Sequence, residues 1–121
     1  METCSENYKN SPPTTITWYL KLAKQDHVVA QYNLGVCYRN GIGTRENFCE
    51  AFFWFLKAAH QGYARAQYNV GLYYENGMGI EKEEAQALHW YAKAAAQGHP
   101  QAQYSLELAN QKHEHTKNEA T

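Results

Sequence analysis

Three segments of the chain repeat one another at a fixed offset of 36 residues. The segment 30–35 reads Ala-Gln-Tyr-Asn-Leu-Gly, and it returns at 66–71 as Ala-Gln-Tyr-Asn-Val-Gly and at 102–106 as Ala-Gln-Tyr-Ser-Leu. A second motif, which begins with Trp and has Lys in fourth place, recurs with the same offset. It occupies 18–21, 54–57 and 90–93. Self-similarity at a period of this size is the signature of a repeat architecture, in which neighbouring units share one core.

Each copy of the repeat predicts two helices, which we call helix A and helix B. Apolar residues recur at helical spacing on both sides of an Asn-Gly-x-Gly turn. Gly41 in that turn suits the left-handed end of helix A, and Asn47 with Glu50 three residues later is a capping-box start for helix B. One such pair cannot bury its own apolar faces, so the pairs must stack. The sequence therefore predicts an all-α fold, an α/α solenoid of antiparallel helix pairs.

The repeats also set the predicted domain boundaries. A repeat domain is expected over 14–111, and disordered segments are expected over 1–13 and 112–121, where the pattern is lost. The repeat domain divides into a half-repeat helix at 14–25, repeats at 28–63 and 64–99, and a half-repeat helix at 100–111.

Composition excludes several functional classes. The 121 residues suit one domain, and 11 basic against 12 acidic residues give a net charge of -1, which argues against a nucleic-acid partner. No apolar run approaches the roughly 18 residues of a membrane span. The polar N-terminal stretch lacks a classical signal peptide, and the three cysteines are expected to be reduced thiols. We expect a cytoplasmic protein, or an exported effector without a classical signal.

Small residues at fixed repeat positions predict close helix contacts. Gly35 and Gly71 lie mid-helix, where glycine costs about 1 kcal/mol relative to alanine. A cost that recurs at one position indicates a close backbone contact with the neighbouring helix. The third copy has Glu107 there, which predicts a terminal helix without such a neighbour.

Helix A is predicted to be apolar on two faces. At 100° per residue, Ala30 and Leu34 lie on one face, whereas Tyr32 and Val36 lie on nearly the opposite one. The repeated tyrosines of this second face, at 32, 68 and 104, allow two interpretations. They can be core between repeats, or they can be partly exposed and line a concave groove. Both can hold together, because tyrosine has an apolar body and a polar tip.

The combined pattern resembles a known family. Ala-x-Tyr-Asn-Leu/Val-Gly-x-x-Tyr-x-x-Gly-x-Gly, followed by Ala-x-x-Trp-Tyr/Phe-x-Lys-Ala-Ala-x-Gln-Gly, is similar to the Sel-one-like repeat, a relative of the tetratricopeptide repeats. The resemblance covers about 14–110. It implies a right-handed superhelix and a role as a scaffold or adaptor in protein–protein contacts.

Similarity to the tetratricopeptide repeats also implies which residues of helix A face a partner. These partner-binding residues are Val29, Tyr32, Val36, Arg39, Asn40, Arg65, Tyr68, Leu72, Glu75, Asn76, Gln101, Tyr104 and Leu108. They coincide with the second apolar face. Arg39 and Arg65 could meet an acidic group, but Glu75 is expected to dilute their field, so no strong carboxylate site is predicted.

No catalytic, metal or cofactor site is predicted. Cys37 and Cys49 flank the turn of the first repeat and are interpreted as two buried thiols rather than a disulfide. His113-x-His115 has metal-ligand spacing but no third ligand. His27 and His99 occupy equivalent turn positions and are expected to be structural.

Three functions follow as hypotheses. The first is a non-enzymatic adaptor that binds a peptide or protein surface along helix A, with neither nucleic acid nor membrane as a partner. The second is a structural unit that assembles into a homo-oligomer through its terminal half-repeats. The third is a β-lactamase-like hydrolase, because secreted relatives have been discussed in that way, although no catalytic serine set is visible.

Overall fold

The computed structural model describes residues 15–120 and the side chains of 16–112 and 114, and every regular element in that range is a helix. The six helices are α1 (Thr15–Ala23), α2 (Val28–Asn40), α3 (Phe48–His60), α4 (Ala64–Asn76), α5 (Glu84–Ala96) and α6 (Pro100–Ala120). Each packs mainly on the helix before it and the helix after it. This nearest-neighbour arrangement confirms the predicted all-α repeat fold, with α2 and α4 as helices A and α3 and α5 as helices B.

The last helix is longer than predicted. We expected it to end at 111 and a disordered tail to follow over 112–121, but α6 continues to Ala120. The reason lies in the composition, because 101–120 contains neither glycine nor proline and is rich in glutamine, lysine, glutamate and alanine, which favour helix. The predicted disordered segment at 1–13 lies outside the described residues.

In both full repeats, helix A ends at a glycine with a left-handed backbone conformation. Gly41 has φ 70° and Gly77 has φ 68°, and their N–H groups donate to the carbonyls of Cys37 and Tyr73. Asp26 stands where the other copies have a glycine after helix B, and it adopts φ 63°. Aspartate tolerates this conformation better than most residues, so the repeat geometry is kept.

At the start of helix B, one of the two hydrogen bonds of the predicted capping box is present. Asn47 Oδ1 accepts from the N–H of Glu50 at 3.0 Å. The Asn47 N–H donates to the carbonyl of Tyr38 at 2.7 Å, so this donor is satisfied across the turn. Glu83 occupies the same position in the second repeat and makes no side-chain cap, but its N–H donates to Tyr74 at 2.9 Å. The backbone bond therefore sets the turn in both copies.

The mid-helix glycines make room for an aromatic ring. A Cβ on Gly35 would lie 2.6 Å from ring carbons of Phe55, and a Cβ on Gly71 would lie 2.5 Å from ring carbons of Tyr91. The predicted close contact is therefore present, but its partner is chiefly a ring of helix B in the same repeat rather than a backbone. The exposed Glu107 holds this position in α6.

Buried glutamines join three helices in each repeat. Gln31 donates its Nε2 to the carbonyl of Ala23 in α1 at 3.2 Å and accepts from Gln61 Nε2 at 2.8 Å. The second repeat has the same bonds, from Gln67 to Ala59 at 3.2 Å and from Gln97 to Gln67 at 2.9 Å. These bonds satisfy buried polar groups that would otherwise be costly, so the glutamines hold successive repeats in register.

Candidate groove on the helix A face

Two of the three repeated tyrosines of helix A, Tyr32 and Tyr68, are half-buried, and for these two both interpretations hold together. The Tyr32 ring lies 5.6 Å from that of Phe55 and 5.2 Å from that of Tyr63. The Tyr68 ring lies 5.7 Å from that of Tyr91 and stacks on His99 at 4.8 Å. Each tyrosine therefore packs on helix B of its own repeat and on the residue that precedes the next helix A.

An open pocket of about 610 Å³ lies on this face, and α2, α4 and the start of α6 line it. Its lining contains six of the residues that sequence similarity assigned to the partner-facing surface. These are Tyr32, Arg39, Arg65, Tyr68, Leu72 and Gln101. The fold thus brings residues from three successive helices A to one concave surface.

Three further residues line the pocket and were missed by sequence reasoning, namely Asn69, His99 and Pro100. The repeat could have indicated His99, because residue 99 is the equivalent of Tyr63 at the 36-residue offset. Tyr32 contacts Tyr63, and Tyr68 contacts His99, so the contact recurs with the 36-residue offset.

His99 has a defined local role. Its Nδ1 accepts from the N–H of Ala102 at 3.2 Å, and His27 Nδ1 accepts from Ala30 in the same way at 3.3 Å. The structural role predicted for these two histidines is confirmed. Burial, and then the charge of Arg65, lower the pKa of His99. A neutral imidazole that accepts at Nδ1 carries its proton on Nε2, so His99 keeps a hydrogen-bond donor.

The pocket is lined by cationic and neutral groups only. Arg39 and Arg65 line it, and no Asp or Glu does. The Arg39 guanidinium carbon lies 5.6 Å from the Phe55 ring centroid, a cation–π arrangement that helps to hold the side chain in place. Among the described residues, no carboxylate forms an ion pair with either arginine.

Glu75 is engaged elsewhere. The Tyr91 hydroxyl donates to Glu75 Oε1 at 2.5 Å, and Glu75 is absent from the pocket lining. Burial and this bond raise the pKa of Tyr91. A hydrogen bond does not remove the charge of a carboxylate, so the expectation that Glu75 dilutes the field of the two arginines stays a prediction, although Glu75 itself does not line the pocket.

The other residues assigned to the partner-facing surface do not line the pocket. Val36 packs partly buried against the core around Phe55, and Val29 is exposed. Asn40 and Asn76 are the last residues of α2 and α4. Tyr104 and Leu108 on α6 are 64% and 46% exposed, because no described helix follows to cover them.

One thiol differs from its prediction. Cys37 and Cys49 are both free, which agrees with the expectation of reduced thiols. Cys37 is buried, and burial raises the pKa of its thiol. Cys49 is exposed, and its Sγ donates to the carbonyl of Gly79 at 3.4 Å. The prediction that both were buried was wrong for Cys49, because its position at the start of helix B faces the next repeat's turn.

Neither a metal-ligand cluster nor a membrane-spanning helix is present among the described residues. No group of three or more metal-ligating side chains occurs among them, and the side chains of His113 and His115 lie outside the described set. Within residues 15–120, no helix is both long and apolar enough to cross a bilayer.

Comparison with known families agrees with the repeat. The family model described as Sel1 repeat matches residues 9–27, 28–63 and 64–99. The chain belongs to the Sel1 repeat family. The resemblance found in the sequence is thereby confirmed, and the family implies a protein-interaction role on a repeat scaffold.

Solved structures support the same assignment for this Sel1 repeat chain. A Sel1 repeat protein from Oxalobacter formigenes is 42% identical over 75% of this chain, with a TM-score of 0.72. The protein c5321, a protective antigen of uropathogenic Escherichia coli with an SLR fold, is 40% identical over 78% of this chain, with a TM-score of 0.75. The chain spans only 37% and 20% of the lengths of these two proteins.

A more distant neighbour shows the fold alone. Cysteine-rich protein B of Helicobacter pylori is 23% identical, with a TM-score of 0.69, and the match covers 72% of this chain and 65% of that protein. No curated protein matches the chain.

Proposed function

We propose that this Sel1 repeat chain is a non-enzymatic scaffold that binds a peptide or protein surface through the concave face of its helices A. The observation that carries the proposal is the open pocket, because residues of α2, α4 and α6 converge there although they are far apart in sequence. Family membership supports the coarser role, since Sel1 repeats are typically interaction scaffolds. Half-buried tyrosines supply apolar area, and arginine, asparagine and glutamine supply directional donors.

The test is a selection from a random dodecapeptide library displayed on phage, with the folded chain as bait. Selected peptides are then measured against two variants. Leu72→Gln changes a pocket residue on α4, whereas Phe53→Gln changes a residue of α3 that is 49% exposed and lies outside the pocket. Circular dichroism and thermal melts establish that both variants fold.

We expect Leu72→Gln to weaken binding at least tenfold and Phe53→Gln to leave it unchanged. The opposite pattern would place the binding surface on helix B. A failure to select any peptide would contradict the proposal.

The non-enzymatic part is tested separately. Ser105 is the single serine among residues 15–120, and it does not line the pocket. Turnover of a β-lactam by the purified chain, above that of a Ser105→Ala variant, would contradict a purely binding role.

Self-assembly is a second candidate, and exposed aromatic residues at the two ends of the array favour it. Trp18 on α1 is 60% exposed, whereas its repeat equivalents Trp54 and Trp90 are 7% and 5% exposed. Tyr104 is exposed at the other end. However, Glu107 stands where Gly35 and Gly71 receive a ring, so α6 cannot accept a further helix in the same way. A molecular mass that rises with concentration, and does so less in Trp18→Gln, would support this candidate.

A further inference from the structure

We propose that the pocket takes an acidic peptide, in which the side-chain carboxylates of internal Asp or Glu residues bind to Arg39 and Arg65. This inference rests on the proposed function and names the chemistry of the partner. Its basis is charge complementarity, because two arginines and no Asp or Glu line the pocket. Guanidinium binds carboxylate through charge-assisted hydrogen bonds, which are roughly twice as strong as neutral ones.

One carboxylate of α4 is engaged by a tyrosine hydroxyl and does not line the pocket. Glu75 lies on α4, the helix that carries Arg65, but its Oε1 accepts from the buried hydroxyl of Tyr91. The two arginines form no ion pair with a described carboxylate. A ligand carboxylate therefore meets two arginines that no described carboxylate already pairs.

The rest of the lining fits a carboxylate within a peptide. Asn69 and Gln101 add neutral side-chain amides, and His99 adds an imidazole whose Nδ1 is already used by the backbone. Leu72 and the ring of Tyr68 add apolar surface, which suits an aliphatic residue beside the acidic one. None of these groups repels an anion.

The shape of the pocket favours an internal carboxylate over a chain terminus. Its walls come from three successive helices A, and it is open to solvent. A peptide can cross such a surface and continue in both directions. We therefore assign the carboxylates to Asp or Glu side chains, and a peptide with a free C-terminal carboxylate forms a separate arm of the test.

The test repeats the phage selection with three baits. These are the unchanged chain, the pocket variant Arg39→Gln/Arg65→Gln and the control variant Arg45→Gln/Lys57→Gln. Both variants lose two positive charges, but Arg45 and Lys57 are exposed residues outside the pocket. General attraction between a charged chain and a charged peptide therefore falls equally in the two variants.

We expect peptides selected by the unchanged chain and by the control variant to be enriched in Asp and Glu. Peptides selected by the pocket variant should lack that enrichment. If the unchanged chain selects peptides without acidic enrichment, the binding function stands and this inference fails. If it selects no peptide at all, the proposed function fails as well. Equal loss of enrichment in both variants would also overturn the inference.

Synthetic peptides then test the contact itself. A selected acidic peptide, acetylated and amidated at its ends, is compared with its Glu→Gln and Asp→Asn counterpart by fluorescence polarisation. We expect the neutral counterpart to bind at least tenfold more weakly to the unchanged chain and no more than twofold more weakly to the pocket variant. Restoration of affinity by a free C-terminal carboxylate on the neutral peptide would overturn the assignment to a side chain.

One pocket arginine also contacts a core ring, so the test must distinguish a loss of stability from a loss of binding. Arg39 lies over Phe55, so its removal can lower stability. The single variant Arg65→Gln avoids this, because Arg65 is exposed. Arg65→Gln should lose at least threefold in affinity for the acidic peptide with an unchanged melting temperature. No loss in this single variant would contradict the proposed contact.

Discussion

Gln61 donates its side-chain amide to Gln31 Oε1 at 2.8 Å, and 36 residues later Gln97 makes the same bond to Gln67 at 2.9 Å. Gln31 is 1% exposed and Gln67 is 5% exposed. The same polar junction is therefore present in both full repeats. It couples each of the helices A, α2 and α4, to the helices before and after it.

The junction predicts unequal costs for one substitution at two equivalent positions. Gln67→Leu removes the buried side-chain donor to the Ala59 carbonyl, which keeps only the Gly62 N–H, and it removes the acceptor of Gln97. We therefore expect a loss of about 1–3 kcal/mol in the free energy of unfolding. Gln103→Leu is the matched control, because Gln103 is exposed and bonds only to the Ala95 carbonyl. Urea unfolding at pH 7 measures both. Equal losses would show that the junction does not contribute.

The close contact of Gly71 with the Tyr91 ring predicts a steric penalty for a larger residue at position 71. Gly71→Ala should destabilise the chain by about 1–2 kcal/mol, since overpacking costs about 1–3 kcal/mol and the gain in helix propensity returns only part of it. In a Tyr91→Leu background the same substitution should cost less, or even stabilise, because the ring is gone. A double-mutant cycle by urea unfolding measures the coupling. A coupling energy near zero would contradict the contact.

One described tyrosine has a buried hydroxyl without a hydrogen-bond partner, so we expect that removal of this hydroxyl is tolerated. Among the described residues, the Tyr73 hydroxyl is buried and has no hydrogen-bond partner. Tyr73→Phe removes a polar group that gains nothing from burial, so we expect the free energy of unfolding at pH 7 to stay equal or to rise by about 1 kcal/mol. A loss above that size, measured by thermal and urea unfolding, would show a bond at this hydroxyl.

The same residue predicts a pH dependence. Burial raises the pKa of Tyr73 to about 12 from its ordinary value of 10. The folded state then holds this proton more tightly than the unfolded state, so the contribution is complete below pH 10 and is lost as the pH rises towards 12. Tyr73→Phe should lose stability less steeply between pH 10 and 12 than the unchanged chain. Tyr104→Phe, at a residue 64% exposed, should follow the unchanged chain.

Equivalent tyrosines of helix A should differ in their contribution to stability. Tyr32→Ala removes ring contacts to Phe55 and Tyr63 and should cost about 1–2 kcal/mol, because the ring is half-buried. Tyr104→Ala changes an exposed ring and should stay within about 0.5 kcal/mol. Equal costs in thermal unfolding would mean that Tyr104 is covered in solution, as a second copy on α6 would cover it.

The elements with a local cause were predictable from the sequence. The helix-ending Gly41 and Gly77 and the cap at Asn47 follow from backbone conformation and short-range hydrogen bonds, so their positions were predictable. The 36-residue offset also determined the number and order of helices between 15 and 111. The end of α6 was missed, because loss of the repeat pattern was interpreted as loss of helix, although helix propensity continues to Ala120.

The tertiary structure alone decided which side chains meet. Helical angle assigned Tyr32 and Tyr68 to one face, but only packing shows that each ring is shared between a helix B and a groove. Periodicity likewise assigned Glu75 to the face of Tyr68, whereas in the structure its carboxylate accepts from the Tyr91 hydroxyl and does not line the pocket. A repeat in sequence specifies elements and faces because those depend on neighbours along the chain. Contacts and the charge of a site depend on side chains that only the stacking of successive repeats brings together.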